Sequence, residues 1–236
     1  MHWSSGELRT LRPLAVLLVT LAAMGRLFAQ AQQAPPVPGS RFMVVLDAAH
    51  GGDDTGGHLN DGEYEKAATL ALSVRLRSLL GARGIQVITT RESDQSVNTI
   101  QRAQIANRAN AQACISLHVA ETGSGIHLFA SNLAPAQPTR FEPWKTAQAA
   151  FVTRSLALTG ALNSALQHAG FPVTLGRTDL PGIDSMMCPA VAIELAPERA
   201  SNKTVKSAPD DPDYQARAAT AIAAALLEWR SEGREP

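Results

Sequence analysis

Four ionisable side chains spread along this chain, His50, Glu65, His118 and Glu194, are of the types that hold a divalent metal and move protons. Two imidazoles and one carboxylate are the ligand set of several catalytic zinc sites, with a fourth position left for water. Zinc in such a set lowers the pKa of that water toward ~7 and polarises an amide carbonyl. A second carboxylate can take the water proton and hand it to a leaving amine. Glu65 and Glu194 are the two acids that can divide those roles. Taken alone, His50 in "VVLDAAHGGDD" (44–54) is only a histidine beside a glycine turn. Its meaning depends on whether the chain brings the others to it.

The elements that would do so alternate along the sequence. "FMVVLD" reads as a buried strand, "EKAATLALSVRLRSLLGARG" as an amphipathic helix ended by glycine, "IQVITT" as a strand and "NTIQRAQIANRANA" as a second helix. "ACISLHV" and "GIHLFAS" follow as strands, "KTAQAAFVTRSLALTGALNSALQHAG" as one long helix and "PAVAIEL" as a strand. A last helix starts at Asp211, a good N-cap with Pro212 at the first helical position. Strands alternating with helices predict a single α/β domain with a mixed, mostly parallel sheet. In open sheets of this kind ligands bind outside the carboxyl ends of the strands. His50 lies just past the first strand, His118 ends "CISLH" and Glu194 nearly ends "VAIEL", so the three converge on one edge. Glu65 joins them if the turn-rich segment 51–62 folds back.

Neighbouring residues offer alternatives. His58 sits in a glycine-rich turn and His127 inside a strand, and we read them as an exposed loop histidine and a packed or hydrogen-bonding one. Glu63 is the nearest rival to Glu65. Asp53 and Asp54 read as a solvated turn, and Trp144 with Phe141 as packing under a loop, either aromatic being also suited to line a substrate groove.

The rest of the 236 residues sets the context. A composition 45% hydrophobic and 18% charged suits one globular domain with a sizeable core. Residues 1–31, with Arg9 and Arg12 ahead of "PLAVLLVTLAAMG", read as a secretory signal peptide cleaved after Ala31 or Ala29. The alternative is an uncleaved anchor. Residues 32–40, "QQAPPVPGS", are a Pro-rich linker, which leaves 41–232 as the catalytic domain. Removing Arg9, Arg12, Arg26 and Glu7 from 21 basic and 21 acidic residues gives a net charge of −2, with no basic face for nucleic acid. Cys114 and Cys188 can pair in an oxidising compartment, but each lies in or beside an apolar run, so two buried thiols are expected.

Four blocks taken in order, "VVLDAAHGGDDTGG", "EYEKAATLAL", "VITTRESDQSVNTIQRAQIANRANAQACISLHVA" and "PAVAIEL", resemble those of the zinc-dependent N-acetylmuramoyl-L-alanine amidases of the AmiC-like, type 3 family. The resemblance runs over about residues 42–230. It implies a sheet of about six strands flanked by helices, one zinc ion held by His50, Glu65 and His118, and Glu194 as catalytic acid/base. The Glu-Lys pair opening the first helix favours Glu65 over Glu63, and Arg102 and Asn107 match positions whose role we take as structural. The implied substrate is peptidoglycan, cut between N-acetylmuramic acid and L-alanine. Other readings are a zinc hydrolase of another cell-wall amide and a non-catalytic peptidoglycan-binding or regulatory relative, which would normally lack a ligand or the glutamate.

The chain departs from the family pattern in three places. Ala48-Ala49 replaces Pro-Gly before the first histidine, "HVAE" lacks the usual Asn after the second, and "LAPERAS" replaces Gly-Phe-x-Ser-Asn after Glu194. Some periplasmic family members carry a long helical plug after the strand matching "GIHLFAS". Here only "NLAPAQPTRFEPW" follows it. We therefore expect this segment to border the active site without giving a ligand. The protein is expected to be a monomer that needs no obligatory activator, located in the periplasm or outside the cell, with no stable membrane insertion after signal cleavage.

Overall fold

Short runs of β-branched and aliphatic residues, broken by helices with an apolar stripe, give the chain its layers. A computed structural model describes residues 42–59, 62–137 and 143–232. The expected signal peptide and linker lie outside the described residues, as does Phe141. In chain order come β1 (Met43–Ala48), α1 (Glu65–Gly81), β2 (Gln86–Thr89), α2 (Thr99–Ala109), β3 (Ala113–Val119) and β4 (Ile126–Ser131). A 3-10 helix (Trp144–Ala150) leads into α3 (Val152–His168), then β5 (Val173–Thr178), a one-turn α4 (Pro181–Asp184) and β6 (Ala190–Leu195). The small hairpin β7 (Glu198–Arg199) and β8 (Val205–Ser207) precedes α5 (Pro212–Glu232).

The sheet order is β2-β1-β3-β6-β4-β5. All neighbours run parallel except β4 and β6. This is the expected α/β domain with a six-stranded, mostly parallel sheet flanked by helices. Because β2 and β3 lie on opposite sides of β1, the connections leaving β1 and β3 part there. A crevice at the carboxyl ends is the geometric result.

Alternation along the strands gives the sheet two unlike faces. One carries Leu46, Leu117 and Ile193, all fully buried, under Leu72 and Leu76 of α1, Leu158 and Leu162 of α3 and Ile222 of α5. The other carries Val45, Cys114, Ala190 and Ala192, covered by Ala103 and Ala106 of α2 and by Ile183 of α4. The same alternation puts Asp47, Ser116, His118, Glu194 and His127 on this thinner side.

Local signals act largely as expected. Asn98 and Gln101 form a capping box at α2, and Asp211 accepts from the Tyr214 amide at 2.8 Å to open α5. Two expectations are corrected, and one strand is added to those assigned from the sequence. The long helix over 145–170 is broken at Phe151 (φ −113°, ψ −6°), because Gln148 turns inward. Its amide donates to the carbonyls of Met186 and Cys188, and its oxygen accepts from Ser155 Oγ at 2.7 Å. The sixth strand is β5, which our reading of individual segments left unassigned; its side chains are mostly exposed and Gly176 interrupts it. Finally, Cys114 and Cys188 are not free thiols but a disulfide, with Cα atoms 6.1 Å apart. Both are buried as expected, but β3 and β6 are neighbours, and Cys114 donates its amide to the Pro189 carbonyl at 2.8 Å. That adjacency, invisible in a spacing of 74 residues, brings the sulfurs together.

Candidate metal centre and its acid

β1 ends at Ala48, and the chain leaves it through a tight turn that leaves no room for a side chain at Gly51 or Gly52. His50 itself is left-handed (φ 62°), and a Cβ on Gly51 would stand 2.4 Å from the Gln95 carbonyl. Two buried guanidinium groups fix this turn. Arg91, 2% exposed, donates to the carbonyls of Ala48, Ala49 and Lys66 at 2.9, 3.0 and 2.7 Å. Arg102 donates to the carbonyls of Ala48 and His50, both at 2.7 Å, and pairs with Asp47 at 2.6 Å. Asp47 also accepts from Thr90 Oγ1 at 2.7 Å and Ser116 Oγ at 2.9 Å, so its charge is fully engaged. Asn107 braces a more distant loop, bonding Ser185 and Met187 backbone.

The segment after the turn doubles back, as Glu65 requires. The Glu65 amide donates to the Gly57 carbonyl at 2.8 Å, and Lys66 Nζ reaches the Gly52 carbonyl at 2.8 Å and Asp94 at 2.7 Å. Glu65, 7% exposed at the start of α1, therefore points into the crevice. Its Oε2 lies 3.2 Å from His50 Nε2 and its Oε1 3.0 Å from His118 Nδ1. Backbone amides of Gly57 and Val119 donate to the same carboxylate at 3.0 and 3.2 Å. Burial works to raise the Glu65 carboxyl, but the bonds from His118, His50 and Gly57 outweigh it and hold it far below the usual range. The bond to Glu65, opposed by burial and aided by Asp54, raises the His50 imidazole. A Cβ on Gly56 (φ 66°) would come within 2.6 Å of the His50 ring and 2.8 Å of Glu65, so glycine there keeps the two together.

One ligand-capable atom from each of His50, Glu65 and His118 lies within 4.8 Å of the others. Two imidazole nitrogens and a carboxylate oxygen are a donor set that suits zinc, and both histidines line a cleft of about 250 Å³. His50 Nδ1 is taken by Asp54 at 2.8 Å, which leaves Nε2 directed at the group. Such a carboxylate behind a metal-binding histidine fixes its tautomer and ring orientation. Asp54 is exposed, as expected of a solvated turn residue, and also bonds His50; an acid four residues beyond a histidine in a tight turn was the available signal. No sequence pattern singles out Arg91 among the arginines of the chain.

The remaining candidates lie elsewhere. His58 is exposed and packs on Tyr64, and Glu63 is exposed, with its carbonyl bonded by the Leu59 amide. Glu194 is level with His118 in the β3–β6 ladder, and its carboxylate accepts from His127 Nδ1 at 2.8 Å. Trp144 is not buried under a loop but 53% exposed, lining a second cleft that shares Thr99 and Pro181 with the first.

Fold and site together define a class: an α/β domain with a metal-competent His-Glu-His group at the carboxyl edge of its sheet and an acid one strand away. The chain belongs to the N-acetylmuramoyl-L-alanine amidase family, whose model matches residues 44–228. It is 38% identical over 80 residues to N-acetylmuramoyl-L-alanine amidase AmiA of Escherichia coli, across 34% of this chain and 28% of that protein. With N-acetylmuramoyl-L-alanine amidase Rv3717 of Mycobacterium tuberculosis it shares 26% identity over 146 residues, 60% of this chain and 59% of the other. The chain thus matches less than two thirds of the length of either relative. Its fold is that of an N-acetylmuramoyl-L-alanine amidase from Clostridium difficile (TM-score 0.63, 21% identity, 81% of this chain and 97% of that one). It is also that of Ami1 from Mycobacterium smegmatis (TM-score 0.64, 18% identity, with the same coverage).

Proposed function

We propose that this domain hydrolyses the amide between the lactyl group of N-acetylmuramic acid and L-alanine in peptidoglycan, using one zinc ion held by His50, Glu65 and His118. The observation that supports this reading is that Glu194 pairs with His118 across neighbouring strands, while His50, Glu65 and His118 each offer an atom within 4.8 Å of the others. When bound, zinc supplies Lewis acidity, which acidifies water and polarises an amide carbonyl.

The chain's own groups do the rest. His50 and His118 would each offer a ring nitrogen, Asp54 orients the first of them, and buried Glu65 would bring the negative charge that a dication requires. Glu194 takes the proton of the attacking water at its carboxylate and delivers it to the departing L-alanine nitrogen. Arg91 and Arg102 hold the backbone that carries His50, so the ligand set needs little reorganisation.

The Cys114–Cys188 disulfide supports placing the mature protein in an oxidising compartment, periplasmic or extracellular, after loss of the signal peptide over 1–31. Among the described residues no helix is long and apolar enough to cross a membrane. The protein acts as a monomer with no obligatory activator.

Digestion of purified peptidoglycan by the mature protein, without any partner, tests this reading. New N-terminal L-alanine on the stem peptide is the expected product. Release of a different amide fragment would reassign the substrate, absence of any cleavage in zinc-loaded protein would favour a binding role, and cleavage only after a partner is added would remove the claim of independence.

A further inference from the structure

We infer that His127 is a positioning residue for Glu194, an inference that rests on the reading of Glu194 as proton carrier. His118, Glu194 and His127 stand opposite one another on three adjacent strands, β3, β6 and β4. Residues paired across a ladder point to the same face, so the three side chains form one row across the sheet. The first belongs to the ligand set and the second is the acid. The third touches no ligand and lies 2.8 Å from the acid through Nδ1.

In the role proposed for Glu194 its carboxylate only accepts hydrogen bonds, so the bond is the one that His127 Nδ1 donates. That bond ties down Oε1. Among the described residues no side chain or amide donates to Oε2, and the Glu194 side chain is 31% exposed. One oxygen is therefore anchored and the other is left for chemistry.

The imidazole is itself held from both sides. Gly123 is left-handed (φ 92°), and a Cβ there would come within 2.7 Å of His127 Cε1. Arg199 Nε fixes the Gly123 carbonyl at 2.9 Å. On the other side the Phe129 ring packs edge-on, with centroids 6.2 Å apart. A histidine used only to fill space needs no such aim at a carboxylate. A carboxylate on a flexible glutamate chain, by contrast, gains from a fixed donor, because a misplacement of about 1 Å at a reacting group can cost on the order of 100-fold in rate.

Steady-state kinetics on a soluble muramyl peptide, with zinc content and thermal unfolding measured on the same samples, test the inference. His127→Leu removes the donor. His127→Asn keeps an N–H near the place of Nδ1, and His127→Gln moves it to the place of Nε2. The Leu and Gln variants should lose about 10- to 100-fold in kcat with KM and zinc unchanged, while the Asn variant stays within a few-fold of the native protein. Native kcat in His127→Leu, equal losses in Asn and Gln, or losses that follow zinc content would each overturn it. If the Leu variant fails to fold, the Asn and Gln pair decides alone. Glu194→Gln in parallel separates the two ideas. An active Glu194→Gln removes the reading of Glu194 and this inference with it, whereas an inactive one beside a fully active His127→Leu overturns only the role of His127.

Discussion

The two faces of the sheet solve opposite problems with neighbouring residues. Leu117 and His118 are adjacent in β3, as are Ile193 and Glu194 in β6, yet each pair splits between the faces. On the side of Leu117 and Ile193 three long helices exclude water, and stability is gained from apolar area at about 25 cal/mol per Å². On the side of His118 and Glu194 the cover is α2 and a single turn of α4. The cover stops short of the strand ends, where Asp47 accepts from Arg102 and Ser116 in a polar floor. Stability and chemistry are thus separated across the thickness of one sheet.

The largest effect that would break this division is expected at His118. His118→Ala should abolish zinc retention after dialysis, as measured by elemental analysis, and with it turnover, while circular dichroism stays native. His58→Ala should keep about one zinc per chain, so equal loss in both variants would mean the ligand set is drawn wrongly. Next comes Glu194→Gln, which keeps the shape but cannot take the water proton at neutral pH. It should lower turnover at least about 100-fold with zinc retained, and near-native hydrolysis would refute the assignment.

On the opposite face Leu117→Ala should cost about 2–5 kcal/mol in urea unfolding, as buried leucine truncations do, with zinc binding of the folded protein unchanged. A loss of zinc without loss of stability would erase the contrast between the faces. The smallest effect belongs to Leu175 on the exposed edge strand β5, where Leu175→Thr should change stability by no more than about 0.5 kcal/mol in the same assay.

How far the sequence could be read follows from the range of the forces involved. Strands such as "VVLDAA" and "ACISLHV" are legible as short apolar runs buried on both faces, and α5 because Asp211 and Pro212 mark its start. The convergence of His50, His118 and Glu194 follows from a general property of parallel sheets. Glu65 needed more, since its place depended on the turn-rich segment before it folding back, and the resemblance to a family chose it over Glu63. What stayed hidden was set by contacts distant in sequence. Gln148 breaks a helix by bonding carbonyls 38 and 40 residues away, and Cys114 meets Cys188 across 74 residues. β5 was lost for a different reason: an exposed edge with a glycine has little pattern to show.

The disulfide has a consequence for how the row of His118, Glu194 and His127 is assembled. A slip of β6 by one residue along β3 would turn Glu194 into the dry helical layer, and hydrophobicity alone forbids it. A slip by two residues keeps every side chain on its own face, so the apolar pattern hardly resists it. Such a slip moves the strand by about 6.6 Å and would carry the acid a full ladder step away from both histidines. Cys188 lies just before β6 and is bonded to Cys114 near the start of β3. Displaced by that distance, the two could no longer meet, because disulfides close only when the Cα atoms lie within about 7 Å. The covalent link therefore acts as a vernier stop, selecting among alignments that burial cannot tell apart the one in which His118, Glu194 and His127 stand level.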